Sequence, residues 1–298
     1  MVNNNKVYIH LGLHKTGSTF FQKKFYPMYS EFNYKHLRDA STLSDFNQYI
    51  LRENALTFSL EHAKTLFYKY LSPNETEQGI LTLCEEQFSG FPLQDALNRK
   101  MIFDRLLAFF PNANFVIVLR NQKDFVKSMY AEYLKKGGTA TLKNFLTRKD
   151  STLNFSRGSY LKYYDYYNYI KNKVAEKKVK ILYYEDLNYN PELFFNELNS
   201  FFNLNLSISE SILNAKENVS FKSDFFNSVR FYNIIGKTPY GKDHLIPTRF
   251  KNKIIKLHRS FSKKNTELDE QYINQFLNSF EFKNNLLPQY DRVNKYGY

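Results

Sequence analysis

A chain of 298 residues with 43% hydrophobic and 18% aromatic content carries too many core-forming side chains to be disordered, and it is long enough for one or two domains. A formal charge of +13 favours anionic partners: nucleic acid, anionic lipid, a phosphorylated ligand or an acidic polysaccharide. A single cysteine, Cys84, excludes an internal disulfide and a cysteine-rich zinc site, which is compatible with a reducing compartment.

Met1 to Lys6 is short and polar, without the apolar run of a signal peptide. No stretch reaches the about 18–20 uninterrupted apolar residues of a membrane helix. The expectation is a soluble, cytoplasmic protein with no transmembrane segment; peripheral membrane contact stays open. The first strand is expected over Lys6 to Leu13. It runs into Gly12-Leu13-His14-Lys15-Thr16-Gly17-Ser18-Thr19, and a helix bearing Phe20, Phe21, Lys24 and Phe25 follows. Strand, glycine-bounded loop and helix N-terminus make an anion site, because free backbone N–H groups converge there and the helix dipole adds positive potential.

The loop of nucleotide triphosphatases reads Gly-x4-Gly-Lys-Ser/Thr. Here Gly12 and Gly17 keep the spacing, but Ser18 stands after the second glycine and the lysine sits inside the loop, at Lys15. A loop gripping two phosphates through magnesium wants the lysine after the glycine. A loop gripping one 5′-phosphate that bears a transferable group can set its cation beside the bridging oxygen. His14 to Thr19 thus resembles the 5′-phosphosulfate loop of the sulfotransferase family, Lys-Ser/Thr-Gly-Thr/Ser-Thr/Ser after the first strand.

Further strands are expected at Glu31 to Tyr34 (weaker), Gly79 to Cys84, Asn114 to Leu119 and Val179 to Tyr184. Near-continuous apolar strands alternating with helices indicate a parallel sheet covered on both faces. Glu85 and Glu86 follow the second strong strand, in Cys84-Glu85-Glu86-Gln87-Phe88-Ser89-Gly90. This is similar to bacterial and polysaccharide sulfotransferases, where a glutamate precedes x-Leu/Phe-Ser-Gly, and Glu86 holds that register. A carboxylate at a strand tip can take the acceptor's proton.

Arg120 ends the next strand and Ser128 comes eight residues later. The pair resembles the family's 3′-phosphate site, where a guanidinium fork and a hydroxyl grip phosphate oxygens. In the helix after this strand, Phe125, Val126, Met129, Tyr130, Tyr133 and Leu134 form one apolar face, closed by Lys135, Lys136 and Gly137-Gly138. Glu185 and Asp186, in a Tyr-Glu-Asp-Leu strand end similar to the family's, read as structural acids.

After about residue 205 the strand signal fades into helical patterns, among them Asp224 to Ile235 and Glu267 to Phe280. The organisation expected is a single domain over 1–298: an α/β core over about 6–205 and a helical C-terminal portion over about 206–298. The resemblance implies a P-loop-type three-layer fold whose central, mainly parallel sheet has about five strands flanked by helices. It implies 3′-phosphoadenosine 5′-phosphosulfate as donor and a hydroxyl or amine acceptor, a carbohydrate fitting the charge, with no metal required. Lys15, Glu86 and His14 are then the catalytic candidates. Lys15, Thr16, Gly17, Ser18, Thr19, Arg120 and Ser128 are the donor-binding ones. The Arg-Lys-Gly signature of the family's cytosolic animal members is absent, which leaves Lys222 and Arg230 as candidates over the adenosine and surface cations as their plainer reading. The rivals are a P-loop kinase, disfavoured by the missing post-glycine lysine, and a non-catalytic polyanion binder, favoured by charge alone. No nucleic-acid-binding signature is present.

Overall fold

A computed structural model describes residues 7–38, 43–71, 79–92, 96–147, 158–213, 225–236, 253–255, 266–278 and 287. Its contacts divide the chain into two compact units. One comprises Met1–Asn121, Ser159–Glu217 and Lys283–Tyr298; the other comprises Gln122–Gly158 and Asn218–Phe282.

The first unit holds the sheet. Its strands are β1 (Val7–Gly12), β2 (Phe32–Tyr34), β3 (Ile80–Glu85), β4 (Asn114–Leu119) and β5 (Val179–Tyr183). They lie in the order β2-β3-β1-β4-β5, and every neighbouring pair is parallel. β3 is buried along its whole length, and β1 and β4 at all but one position each. That is the pattern uninterrupted apolar runs require when both faces are covered. Strand limits fall within one residue of those expected from sequence.

Register sets the functional edge. Leu11 of β1 lies opposite Glu85 of β3 and Ile117 of β4, and Leu119 lies opposite Tyr183 of β5. The residues just past each strand, Leu13 to Thr16, Glu86, Arg120 and Tyr184, therefore emerge along one rim. The chain leaves β1 for β2 on one side of the sheet and leaves β4 for β5 on the other. The gap between β1 and β4 is therefore the topological switch point where open α/β sheets bind ligands.

Helix α1 follows the loop as a run of three pieces: Ser18–Phe20, a π-turn Phe21–Phe25 and Tyr26–Met28. The wider π-turn sets Phe20, Phe21 and Phe25 against Phe194 and Phe195 of a later helix, Pro191–Phe202. Phe25 and Phe195 stack with centroids 5.2 Å apart. Aromatic pairs of this kind contribute about 0.5–1.5 kcal/mol beyond their burial. This cluster clamps the helix that carries the loop.

The same clamp buries His10 of β1, whose Nδ1 lies 3.0 Å from the Tyr26 hydroxyl. Its Nε2 has no hydrogen-bond partner among the described residues. Burial lowers its pKa from the ordinary 6.5 to about 3. His14 is lowered from 6.5 to about 4, chiefly by burial. Both rings are neutral when folded and bind protons at higher pH once unfolded. Their stabilisation is therefore complete above about pH 6.5 and is lost as pH falls toward 4 and then 3. Urea titrations across this window should show unfolding free energy falling on acidification, at up to about 1.4 kcal/mol per pH unit per histidine. A His10→Gln variant should show a shallower slope. A flat curve between pH 7 and 4 would contradict both assignments.

The second unit is helical where described. The helix Gln122–Lys135 packs against Phe226–Gly236 and Thr266–Asn278, and the short helix Leu142–Thr147 packs against the last of these. Gly137, at φ 86°, turns the first of them off. The Gly137 N–H donates to the Leu134 carbonyl and the Gly138 N–H to that of Tyr133. Asn233 Nδ2 then donates to the Leu134 and Gly138 carbonyls, both at 2.8 Å. The two C-terminal helices expected from sequence thus exist, at Phe226–Gly236 and Thr266–Asn278. Asp224, Ser279 and Phe280 lie outside the described residues.

Candidate active site

The loop after β1 is held by its own polar groups. The Thr16 hydroxyl donates to the Leu13 carbonyl at 2.5 Å, and Ser18 Oγ reaches the same oxygen at 3.5 Å. Lys15 and Gly17 both have positive φ, 65° and 85°. Glycine takes that backbone freely, whereas at lysine it costs roughly 1 kcal/mol and persists only where neighbours enforce it. The enforcement is visible: Arg120 Nη1 donates to the Lys15 carbonyl at 2.8 Å. That contact fixes the Lys15 peptide within the loop. Gly17 caps α1 without a side chain, so no side chain of its own competes for the first-turn N–H groups.

Close approach explains Gly12. A Cβ there would lie 2.5 Å from Ser18 Oγ and 3.3 Å from the Glu86 Cα. Loop and post-β3 turn touch only because residue 12 has no side chain.

That turn, a 3-10 helix over Glu86–Ser89, separates its two acids. The Glu85 side chain is fully buried. It receives Arg38 Nε at 2.8 Å and Arg38 Nη2 at 2.5 Å, the Gln87 N–H at 3.1 Å and Asn47 Nδ2 at 3.5 Å. Its lone pairs are spent on holding the turn. The Glu86 side chain is 30% exposed and has one longer contact, to Arg38 Nη2 at 3.2 Å. Arg38 is shared between them, and the Glu85 carboxylate raises its already high pKa further.

His14 packs edge-on to the buried Tyr160, whose hydroxyl receives the His14 N–H at 2.8 Å and lies 3.1 Å from His14 Nδ1 and from Ser89 Oγ. Burial pushes the Tyr160 phenol up to about 12, so it stays protonated. Arg99 holds Tyr160 from behind, donating to its carbonyl at 3.0 Å and to that of Ser89 at 2.8 Å. Tyr160, Arg99 and Arg38 carry no local sequence signal, since only the fold brings them here. Ser89 lies within the motif around Glu86, yet its partners were not readable from it.

Arg120 stacks over the Tyr184 ring at 4.8 Å, and its Nε is buried without a hydrogen-bond partner among the described residues. A buried cationic N–H without a partner is a donor that a charged acceptor would satisfy. Glu185 accepts the Asn121 N–H at 2.9 Å. The first unit therefore gathers His14, Lys15, Thr16, Gly17, Ser18, Thr19, Glu86 and Arg120 along one rim. Ser128 is buried on the helix Gln122–Lys135 of the second unit. Arg230 is on the helix Phe226–Gly236 of that unit, and Lys222 lies outside the described residues.

The fold is that of a P-loop-like α/β protein, with the loop after β1 at its switch point. The sulfotransferase domain family matches residues 6–283, and the chain belongs to that family: it is a sulfuryl-transferring enzyme. Similar solved structures are a sulfotransferase from Alicyclobacillus acidocaldarius and two sulfotransferase domains. The first is 12% identical over 69% of this chain and 87% of that one, with a TM-score of 0.47. The sulfotransferase domain from the curacin biosynthetic pathway is 13% identical over 72% and 78%, with a TM-score of 0.39. The sulfotransferase domain of the Synechococcus PCC 7002 olefin synthase is 12% identical over 85% and 93%, with a TM-score of 0.36. No curated protein matches. No described helix is long and apolar enough to cross a membrane.

Proposed function

We propose that the chain transfers a sulfuryl group from 3′-phosphoadenosine 5′-phosphosulfate to a hydroxyl or amine of a carbohydrate, in the cytoplasm. The observation that carries the donor assignment is Arg120. One guanidinium nitrogen fixes the backbone of Lys15 while another stays buried and unpartnered among the described residues. Two cations thus serve one site, as a donor with both a 5′-phosphosulfate and a 3′-phosphate demands.

Lys15 and the loop amides are suited to steady the charge that grows on the departing 5′-phosphate. Thr16, with its hydroxyl engaged inside the loop, offers its backbone N–H, as does Gly17. Ser18 and Thr19 add the first turn of the helix, and Arg120 with Ser128 supplies donors for the 3′-phosphate. Glu86 accepts the proton of the attacking group as its oxygen or nitrogen bonds to sulfur and the bond from sulfur to the bridging oxygen breaks. The carbohydrate reading rests on the +13 charge, which suits an acidic glycan. The test is transfer of radiolabelled sulfate from this donor to panels of glycans, lipids and phenols. Glycan labelling is expected; labelling of phenols alone would move the acceptor class, and labelling of nothing would count against this donor.

Arg120→Ala should weaken binding of 3′-phosphoadenosine 5′-phosphate about 10- to 100-fold, the size of one charge-assisted hydrogen bond. Adenosine 5′-monophosphate should lose less, through the slackened Lys15 backbone alone. Calorimetry on both ligands decides, and equal losses would show that Arg120 does not read the 3′-phosphate.

A further inference from the structure

Proton counting around Tyr160 fixes the tautomer of His14. Ser89 Oγ has a single proton and two carbonyl oxygens beside it, Glu86 at 2.9 Å and Gly12 at 3.0 Å. Carbonyls only accept, so the Ser89 proton belongs to them; turned elsewhere, it would leave its lone pairs facing two carbonyl oxygens. The contact of Ser89 Oγ with the Tyr160 hydroxyl, at 3.1 Å, then needs the Tyr160 proton. Having given that proton to Ser89, Tyr160 can only accept from its remaining neighbours. One is the His14 backbone N–H, at 2.8 Å. The other is His14 Nδ1, at 3.1 Å, which must therefore carry a hydrogen.

We propose that the Ser89–Tyr160 chain holds His14 as the Nδ1–H tautomer, leaving Nε2 a bare lone pair that takes a hydrogen-bond donor. Burial keeps the ring neutral well below pH 7, so Nε2 does not acquire a proton of its own. Around the ring lie Glu86, Glu85, Lys15 and Arg38, the charged groups of the strand-tip rim. A bare Nε2 among them suits the O–H or N–H of an acceptor, and it repels the anionic oxygens of a sulfuryl or phosphate group. Tyr160 and Ser89 are positioning residues in this scheme. Its acceptor half rests on the proposed reaction, whereas the tautomer does not.

The test is nitrogen NMR of the free, histidine-labelled protein at pH 7, with His14→Gln identifying the resonances. In wild type, Nδ1 should resonate in the protonated range and Nε2 in the unprotonated range. Ser89→Ala should exchange the two, because the Tyr160 proton then turns to Nδ1. A purely structural serine would leave them in place. An Nε2–H tautomer in the wild type overturns the proposal without any variant. With transfer activity in hand, Ser89→Ala should also raise the acceptor KM about three- to tenfold, the size of one hydrogen bond, at unchanged donor KM. An unchanged acceptor KM alongside an exchanged tautomer would overturn the acceptor role. Absence of transfer in the wild type would count against the donor assignment and leave the tautomer to be judged by NMR alone.

Discussion

Lys15→Ala is expected to lower the rate of sulfate transfer by about 10²- to 10³-fold while the protein stays folded. The size is what loss of one preorganised donor costs where charge develops in a transition state. The choice of alanine matters. Lys15 has a φ of 65°, so glycine would relieve strain and confuse the comparison, whereas alanine keeps a Cβ and the same backbone cost. The contact from Arg120 goes to the Lys15 carbonyl, not its side chain, and survives the substitution. Loop geometry should therefore persist, and thermal midpoints should differ little. Single-turnover kinetics would then isolate the chemical step. Near-normal transfer by a folded variant would remove the central role given to the loop.

Sequence made the sheet legible because each strand is an uninterrupted apolar run, and such runs have few alternatives in a chain with this rhythm of helices. Lys15, Gly17 and Glu86 were legible for a different reason. They sit at fixed offsets from strand ends, so locating the strand locates the residue. Arg38, Tyr160 and Arg99 have no such anchor. Arg38 lies 47 positions before Glu85, and Tyr160 lies 146 after His14; their contacts exist only once the sheet has ordered. First-unit helices such as Ser44–Arg52 and Leu60–Tyr68 also have no strand-end motif to anchor them in the sequence. The roles of neighbours behave likewise. Alternation along an extended segment says that Glu85 and Glu86 face opposite ways. Only the position of Arg38 and Asn47 reveals which of them is spent on the fold.

That division yields the sharpest comparison. Glu86→Gln should cut the catalytic rate by about 10²- to 10⁴-fold, the usual cost of losing a general base, with donor affinity and stability nearly unchanged. Glutamine keeps the shape of the side chain and one accepting oxygen, but it cannot take up a proton at neutral pH. Stability should hold because Glu86 is partly exposed and its side-chain contact with Arg38 is longer than those Arg38 makes to Glu85. Glu85→Gln should do the reverse. It converts a buried carboxylate that accepts from Arg38, Gln87 and Asn47 into an amide with two donors facing donors. The expected loss is about 1.5–3 kcal/mol of stability, seen as a lower urea midpoint, with residual folded protein still turning over. Measuring rate per folded molecule alongside urea denaturation separates the two effects. A Glu86→Gln protein with wild-type turnover and a Glu85→Gln protein that is folded but inactive would move the base by one residue. If both remain active, the proton leaves by another route, and the bare Nε2 of His14 is the next group to remove.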